Sequence, residues 1–545
     1  MSSFFTAPAS QRKRKRTSAA APDRPKTQRR RREDSISSED SDQGDHPDND
    51  DHGDTDDTAS DAADETAAER RLRLAERYLD NIREEVDEAG FDAAEIDRDL
   101  IAERLKEDVA EAKGRLYRRI ASSLDFSAAE HTLFRADNQA TTAAATCPPY
   151  AYTATKDMAL IKWSIPTPPD STANLPTSLT PRRRPTQLVY TKGNKNRAND
   201  PTFHHHTAPI LCIAASGDGK FVATGGADRK LIIWRAGDLT PLKVFTQHRD
   251  AVISLAFRRG TNQLFSASKD RTIKTWSLDE LAYVETLFGH QDAVIDIAAL
   301  AQERCVSVGA RDRTARLWKV VEESQLVFRG GGTSVTRTNR SGGSTSKAGG
   351  GYAEGSIDRI ALVDEETFVT GSDNGSISLW SINKKKPVFT LPLAHGLDPP
   401  MRPDEVHADA KLEGEDVWIP PQQPRWITAL ITIPYTDVIL SGSWDGWVRA
   451  WRVSEDGKRI EPLGAVGQTS PGEGGDGPMS DSVTATQESG TAKVRGVVND
   501  LSVFERGDRG RDGICVVAAV GKEARLGRWR KFAGKNAAVV MEVQR

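Results

Sequence analysis

The 545-residue chain has no apolar run approaching the ~18 residues of a membrane span, and Met1 to Ser10 turns basic at once without the apolar stretch of a secretory signal. It has only four cysteines, Cys147, Cys212, Cys305 and Cys515, and none form a CxxC pair. That excludes a zinc ribbon or dithiol redox motif and leaves buried thiols in a reducing compartment as the expectation. Also missing are a glycine-rich phosphate loop, paired catalytic carboxylates and a nucleophile with a neighbouring base. No catalytic residue, cofactor, metal or small-molecule substrate is therefore expected. The one metal-like run, His204, His205 and His206, loses His206 to a structural role described below.

The chain has little excess of either charge, with a formal net charge of −4, but its charges are strongly segregated along the sequence. Two basic clusters stand near the start, Arg12, Lys13, Arg14, Lys15 and Arg16, then Arg29, Arg30, Arg31 and Arg32. Residues 33 to 65 carry only acidic charge, with Ser35, Ser37, Ser38 and Ser41 embedded in it. Such a segment cannot bury enough apolar area to offset its chain entropy, so residues 1–64 are expected to be disordered. The paired clusters read as a bipartite-like nuclear import signal, ahead of a nucleic-acid-binding arm or a plain solvated charge run. The acidic serines look like substrates for an acidophilic kinase.

Residues 65–120 read as a helical segment. Leu72, Ala75, Leu79, Ile82 and Val86 recur at helical spacing, opened by a Thr66 to Glu69 capping box and closed by Gly90. A second stripe holds Ile96, Leu100, Leu105 and Val109. Both stripes need a partner surface, because short isolated helices are marginal.

From residue 121 onward one pattern dominates. Trp163, Trp234, Trp276, Trp318, Trp380, Trp451 and Trp529 each follow a polar turn residue by six positions: Asp157, Asp228, Asp270, Asp312, Asn374, Asp445 and Glu523. Trp234, Trp276 and Trp318 are 42 apart, within the ~40 to 45 of a propeller blade. The wider gaps coincide with inserts at about 329–355, 397–424 and 464–490, all rich in Gly, Ser or Pro. The fold class is thus all-β, a seven-bladed β-propeller over 121–545 with the tail and helical segment before it.

Four residues before the turn residue stands a hydroxyl, Thr153, Thr224, Ser266, Thr370 or Ser441, and His206, His248 and His290 stand near blade starts. Tryptophan, hydroxyl, histidine and aspartate resemble the structural tetrad of WD-repeat proteins, whose spacing must be kept because every buried polar member has to be satisfied. Blade one offers Asp137 for the histidine, blade four Val308 for the hydroxyl, blade five Asn374, and blade seven Ala519 and Glu523. Those blades are expected to lean on apolar packing. Either His131 to Arg135 or Ala538 to Val543 could supply the outer strand of the last blade.

Several phrases narrow the resemblance: TAAERRLRLAERYLDNIREE at Thr66 to Glu85, YTATKDMALIKW at Tyr152 to Trp163, LAHG at Leu393 to Gly396, SGSWDGWVRAW at Ser441 to Trp451 and VGKEARLGRW at Val520 to Trp529. Together they are similar to the WD-repeat proteins specific to the U3 small nucleolar ribonucleoprotein, over about residues 66 to 545. That resemblance implies a scaffold of the nucleus and nucleolus that binds the box B/C region of U3 snoRNA. It also implies as partners a small kink-turn-binding protein, other box C/D snoRNP proteins and the small-subunit processome, in pre-rRNA processing toward 18S rRNA. Membrane association and catalysis are not implied.

Residues flanking the turn aspartates share one rim of a propeller, and there they are Lys156, Arg229, Lys230, Lys269, Arg271, Arg311 and Arg313. This basic arc could hold RNA phosphates; Asp-Arg pairs are also ordinary turn residues. A rival basic surface is the loop after blade one, with Arg182, Arg183, Arg184, Lys192, Lys195 and Arg197 and the aromatic Tyr190. Trp444 and Trp447 either anchor a partner or pack under the insert between His395 and Trp426. Two other readings stand beside the RNA scaffold. One is a generic nuclear WD scaffold in a chromatin or ubiquitin-ligase assembly, although Trp-Asp-x-Arg is absent. The other is an enzyme using the central channel.

Overall fold

The computed structural model describes residues 101, 105–106, 110, 116–135, 137–167, 184–200, 202–331, 352–401, 420–467, 494–527 and 530–545. The import clusters, the acidic serines and most of the 65–120 segment lie outside the described residues; so do the middles of the three inserts. Ile101, Leu105, Lys106 and Ala110 are helical, whereas residues 116–120 are not, and Arg118 among them forms an isolated bridge.

Seven antiparallel four-stranded sheets form the described fold. Strands a to d of blade one are Thr141–Cys147, Tyr150–Thr155, Ala159–Ser164 and Thr186–Lys192. Blade two has Ile210–Ala215, Phe221–Gly226, Leu231–Arg235 and Pro241–Phe245, and blade three has Val252–Phe257, Gln263–Ser268, Thr272–Ser277 and Ala282–Phe288. Blade four comprises Val294–Ala299, Arg304–Gly309, Thr314–Lys319 and Ser324–Arg329; blade five, Ile357–Leu362, Thr367–Ser372, Ile377–Ser381 and Phe389–Leu391. Blade six follows with Ala429–Thr432, Val438–Gly442, Val448–Val453 and Ile460–Ala465.

The sequence chooses strand position by how many faces it buries. Strands b and c are covered on both sides by neighbouring blades, and they read as near-continuous apolar runs such as Leu231-Ile232-Ile233-Trp234, all buried. Outer strands face water on one side, and Thr186–Lys192 is exposed at most positions. The core accordingly sits between blades. Cys212, Ala223, Leu231, Ile233 and Phe245 of blade two pack on Val252, Leu255, Leu264 and Trp276 of blade three. Burial also explains the cysteines: it pushes the Cys212 thiol up to about 12 and raises Cys305 and Cys515 well above the usual range. These are packing groups.

Blade seven corrects the sequence reading. Its inner strands are Val497–Glu505 and Ile514–Gly521, its third is Ala537–Gln544, and its outer strand is Asp125–Phe134. His131 to Arg135 and Ala538 to Val543 are therefore not alternatives, because both regions are used: His131 pairs Met541, and Met541 pairs Val516. The segment around Trp529 is not the third strand at all. Trp529 itself lies outside the described residues, between strands ending at Gly521 and starting at Ala537, while Glu523 belongs to neither strand and forms an isolated bridge with Lys531. The six-residue offset from Glu523 arose in a connection, where periodicity carries no strand information.

The approach to the closing strand is fastened on the opposite end of the ring from the b–c turns. Arg118 bridges to Thr436 and pairs with Glu505 at 2.5 Å, and its guanidinium also reaches the Arg509 carbonyl at 3.0 Å. Asp437 accepts from the backbone N–H groups of Ile120 and Ala121 at 2.9 and 3.1 Å. Removing residues 1–135 would open the edge of Ala537–Gln544, and an unpaired edge templates association. Such a chain is expected to elute as oligomers or aggregates in size-exclusion chromatography with light scattering, against a monomer for the full chain.

Candidate nucleic-acid interface

In a four-stranded antiparallel blade the b–c turn and the connection to the next blade lie at the same end. Everything flanking the turn aspartates therefore shares one face with the loops that carry the histidines. What fixes that face is the tetrad. In blade two the Trp234 indole donates to Thr224 Oγ1 at 2.7 Å, His206 Nε2 lies 2.8 Å from the same oxygen, and His206 Nδ1 lies 3.1 Å from Asp228. Blade three repeats this with Trp276, Ser266, His248 and Asp270 at 2.8, 2.7 and 3.0 Å. The consistent direction runs indole to hydroxyl to Nε2, with Nδ1–H donating to the carboxylate.

Two further tetrads are complete where spacing had hidden them. In blade four Ser307, not Val308, accepts from the Trp318 indole and lies against His290 Nε2, both at 2.8 Å, and His290 Nδ1 lies 2.8 Å from Asp312. The b–c connection there, Ala310 to Arg313, is one residue longer than that of blade three, so counting back from the aspartate lands one residue late. In blade six the histidine is His395, 2.8 Å from Ser441 and 2.7 Å from Asp445, with Trp451 also donating to Ser441 at 2.8 Å. The 397–424 insert separates His395 from its partners in sequence.

Blades one and five keep only the inner bond, Trp163 to Thr153 at 2.8 Å and Trp380 to Thr370 at 2.9 Å. Asp137 is bonded by the Tyr190 hydroxyl at 3.3 Å instead of joining Thr153, and Asp157 pairs with Lys192. Asn374 accepts from Ser376 N at 3.0 Å, while Glu354 takes hydrogen bonds from Ser372 and Gly331 N.

Blade seven replaces the turn by a longer excursion, residues 522–536, and this loop reaches the ring axis. Arg525 is 7% exposed and donates to the Ile253 carbonyl at 3.0 Å. It interacts with Arg359, Asp296, Asp500 and Cys212, which belong to the inner strands of blades five, four, seven and two. Five inner strands can meet one side chain only along the central channel. Burial lowers the Arg525 pKa to about 10, leaving it charged at neutral pH. Arg359 lies 3.7 Å from Asp296 and 3.8 Å from Asp500, and Ser254 donates to Asp296 at 2.6 Å. The axis is thus lined by Arg359, paired with Asp296 and Asp500, with Arg525 in electrostatic range of all three. Among the described residues, no group of three or more His, Cys, Asp or Glu could hold a metal.

The same loop removes one member of the basic arc. Lys156 is buried, with Nζ 3.2 Å from Glu523 and 3.0 Å from the Gly527 carbonyl, so it anchors the excursion and does not face the rim. Arg229, Lys269, Arg271, Arg311 and Arg313 are exposed on the turns of blades two, three and four, and Lys230 is half-buried. Arg313 also donates to the Glu354 carbonyl at 3.3 Å. The residues just after the aspartates, Arg229, Arg271 and Arg313, have φ of 64°, 69° and 50°, whereas blades five and six place Gly375 and Gly446 there. Left-handed backbone costs roughly 1 kcal/mol for a non-glycine residue. The same slot in blade one holds Met158 at φ 61°, so four turns accept that strain and the three adjacent ones carry a guanidinium.

Of the rival loop, Arg182 and Arg183 lie outside the described residues, and Arg184 is exposed ahead of the outer strand of blade one. Trp447 is 3% exposed. Trp444 is half-buried, donates to Asp398 at 2.8 Å, and packs 6.0 Å from Trp426 and 5.3 Å from Phe532. Asp398 also pairs with Arg425 at 3.3 Å and Arg530 at 2.7 Å. Trp444 therefore ties the insert and the blade-seven loop to the ring, while Trp447 is a buried packing residue. Sequence reasoning missed the exposed Arg530, Lys531 and Lys535 of that loop, because the Glu523 to Trp529 spacing reads as a strand.

Seven four-stranded blades, four of them stapled by a complete set of tryptophan, hydroxyl, histidine and aspartate, define a WD-repeat β-propeller, and the WD domain, G-beta repeat family matches residues 200–235, 239–277 and 282–319. Ribosomal RNA-processing protein 9 of Saccharomyces cerevisiae is 34% identical over 85% of this chain and 87% of its own length. U3 small nucleolar RNA-interacting protein 2 of Homo sapiens is 38% identical over 88% of this chain and 83% of its own. A crystal structure of RRP9 WD40 repeats superposes with a TM-score of 0.55 at 33% identity, covering 76% of this chain and 98% of that one. The chain belongs to the WD-repeat family that these two proteins represent.

Two measurements follow from the geometry. Arg525→Ala would leave Asp296 and Asp500 sharing one fewer cation, and is expected to lower the stability in denaturant titrations by about 3 kcal/mol. The second concerns pH. Burial alone would raise the carboxyls of Asp228, Asp270, Asp312 and Asp445, but the paired histidines and backbone N–H donors outweigh it and hold each below 3.8, Asp445 at about 2. A depressed folded pKa stabilises fully above the unfolded value and is lost as pH falls through the folded one, so stability should decline from about pH 4 toward pH 2. Asp445→Asn is expected to flatten that limb of the unfolding curve.

Proposed function

We propose that this chain is a non-enzymatic U3 snoRNA-binding scaffold of the U3 snoRNP and small-subunit processome, acting in pre-rRNA processing toward 18S rRNA in the nucleolus. The observation that carries it is the row of guanidinium and ammonium groups on the turns of blades two to four, three of the guanidinium groups at left-handed backbone positions, in a chain whose relatives are named for U3 RNA and rRNA processing. The box B/C region of U3 is the RNA element expected on that face, with the small kink-turn-binding protein and other box C/D snoRNP proteins beside it. Arg182, Arg183 and Arg184 are kept as a second phosphate-contacting group. The basic clusters at Arg12 to Arg16 and Arg29 to Arg32 would bring the chain into the nucleus.

Phosphate contacts position the RNA without reading much sequence, so affinity should fall with salt. Support for the non-enzymatic reading is the axis itself: the place where a propeller hydrolase would gather its reacting groups is occupied here by Arg525, Arg359, Asp296 and Asp500.

The strain at the arginines allows affinity and stability to be separated. Replacing Arg229, Arg271 and Arg313 together by glycine relieves three left-handed residues, so the melting temperature is expected to hold or rise. Affinity for a U3 box B/C fragment should fall about tenfold or more at 0.1 M salt, and the slope of log K against log salt should flatten by about two to three. Unchanged affinity and slope would reject the arc.

A further inference from the structure

The connection from blade one to blade two holds an arrangement that neither the tetrads nor the basic turns account for. Lys195–Arg197 form a single 3-10 turn capped by Asn194, whose side chain accepts from Asn196 N at 3.0 Å. Arg197 is clamped to Asp200 through Nε at 3.2 Å and Nη2 at 2.8 Å, and Asp200 is itself fixed by Thr202 N and Oγ1 at 2.9 and 2.6 Å. The clamp holds the guanidinium 4.8 Å over the Phe203 ring. Phe203 stacks on His205 at 5.2 Å and 27°, and His205 meets Trp234 edge-on at 5.4 Å. A column of planar groups thus runs from a fully buried tryptophan to an arginine whose side chain is 53% exposed.

Two features of the column bear on what it can take. Burial, followed by the neighbouring His206, lowers the His205 pKa, so this layer is a neutral ring at physiological pH. The column also stands beside blade two's cationic turn: Asn194 N donates to the His206 carbonyl at 3.2 Å, and His206 is bonded to Asp228, which Arg229 and Lys230 follow. A free arginine has rotamer entropy to lose on binding. Here the plane is fixed beforehand, with one side against Phe203 and much of the rest in water.

We propose that Arg197, backed by Phe203 and His205, is a base-stacking residue that receives one unpaired nucleobase of RNA, with the adjoining phosphates on Arg229 and Lys230. The inference rests on the reading that this face binds RNA. Guanidinium planes and aromatic rings are the surfaces on which splayed bases stack, and stacking is tolerant of base identity. The basic turns then supply position, and this column supplies the requirement for a base.

The test is fluorescence anisotropy on the full chain with three probes: a U3 box B/C fragment, an oligoadenylate of about eight nucleotides, and the same backbone made abasic throughout. The wild type is expected to prefer oligoadenylate over the abasic strand by about fivefold or more. Arg197→Lys, which keeps the charge, and Phe203→Leu, which keeps an apolar contact, should each bring that ratio close to one while leaving the salt slope unchanged. Retention of the preference in both variants, or equal binding of the two strands by the wild type, overturns the stacking site. If the U3 fragment still binds in a salt-dependent way in that case, only the stacking fails. If no probe binds the wild type, the RNA-binding reading fails with it.

Discussion

A ring of sheets has to close, and everything distinctive about this propeller follows from how it does so. Blade seven is built from Val497–Glu505, Ile514–Gly521 and Ala537–Gln544 together with Asp125–Phe134. Pairing strands from distant parts of the sequence removes the free edge that would otherwise invite association. It also frees residues 522–536 from strand duty. That excursion sends Arg525 into the axis and brings Lys156 under Glu523 and Gly527. At the axis Arg359 is paired with Asp296 and Asp500 and Arg525 donates to the Ile253 carbonyl, so each buried charge there has a polar partner.

The tetrads perform the corresponding task within blades. Each ties a b–c turn to the loop arriving from the previous blade, so the positions of Arg229, Arg271 and Arg313 are fixed through Asp228, Asp270 and Asp312 to His206, His248 and His290. Rigid placement matters for phosphate recognition, since freely moving cations lose entropy on binding. Arginine in a left-handed slot is unfavourable for folding alone, and the same residue is well suited to charge-assisted contacts with phosphate oxygens. The face with these turns is opposite the one across which Arg118, Ile120 and Ala121 are strapped to Glu505 and Asp437.

Much of this was legible in the sequence, and the failures have particular causes. Periodic tryptophans gave blades one to six because indole, hydroxyl and aspartate positions are set by sheet geometry, which is local. Ser307 was missed because one extra turn residue shifts the count, and His395 because an insert intervenes. Trp529 misled for the opposite reason, since a matching offset in a long connection has no sheet behind it. Lys156 looked exposed by analogy with the other turns, and only the non-local excursion of blade seven buries it. The column of Arg197, Phe203 and His205 depends on a clamp to Asp200 that no spacing rule describes.

The central claim is that the turns of blades two to four form the RNA-facing surface. Photocrosslinking of the full chain to U3 RNA, with the linked peptides identified by mass spectrometry, addresses it most directly. Crosslinks should concentrate on peptides containing residues 229–230, 269–271 and 311–313. Crosslinks confined to the strapped face around Arg118, Glu505 and Asp437, or none within the propeller, would contradict it.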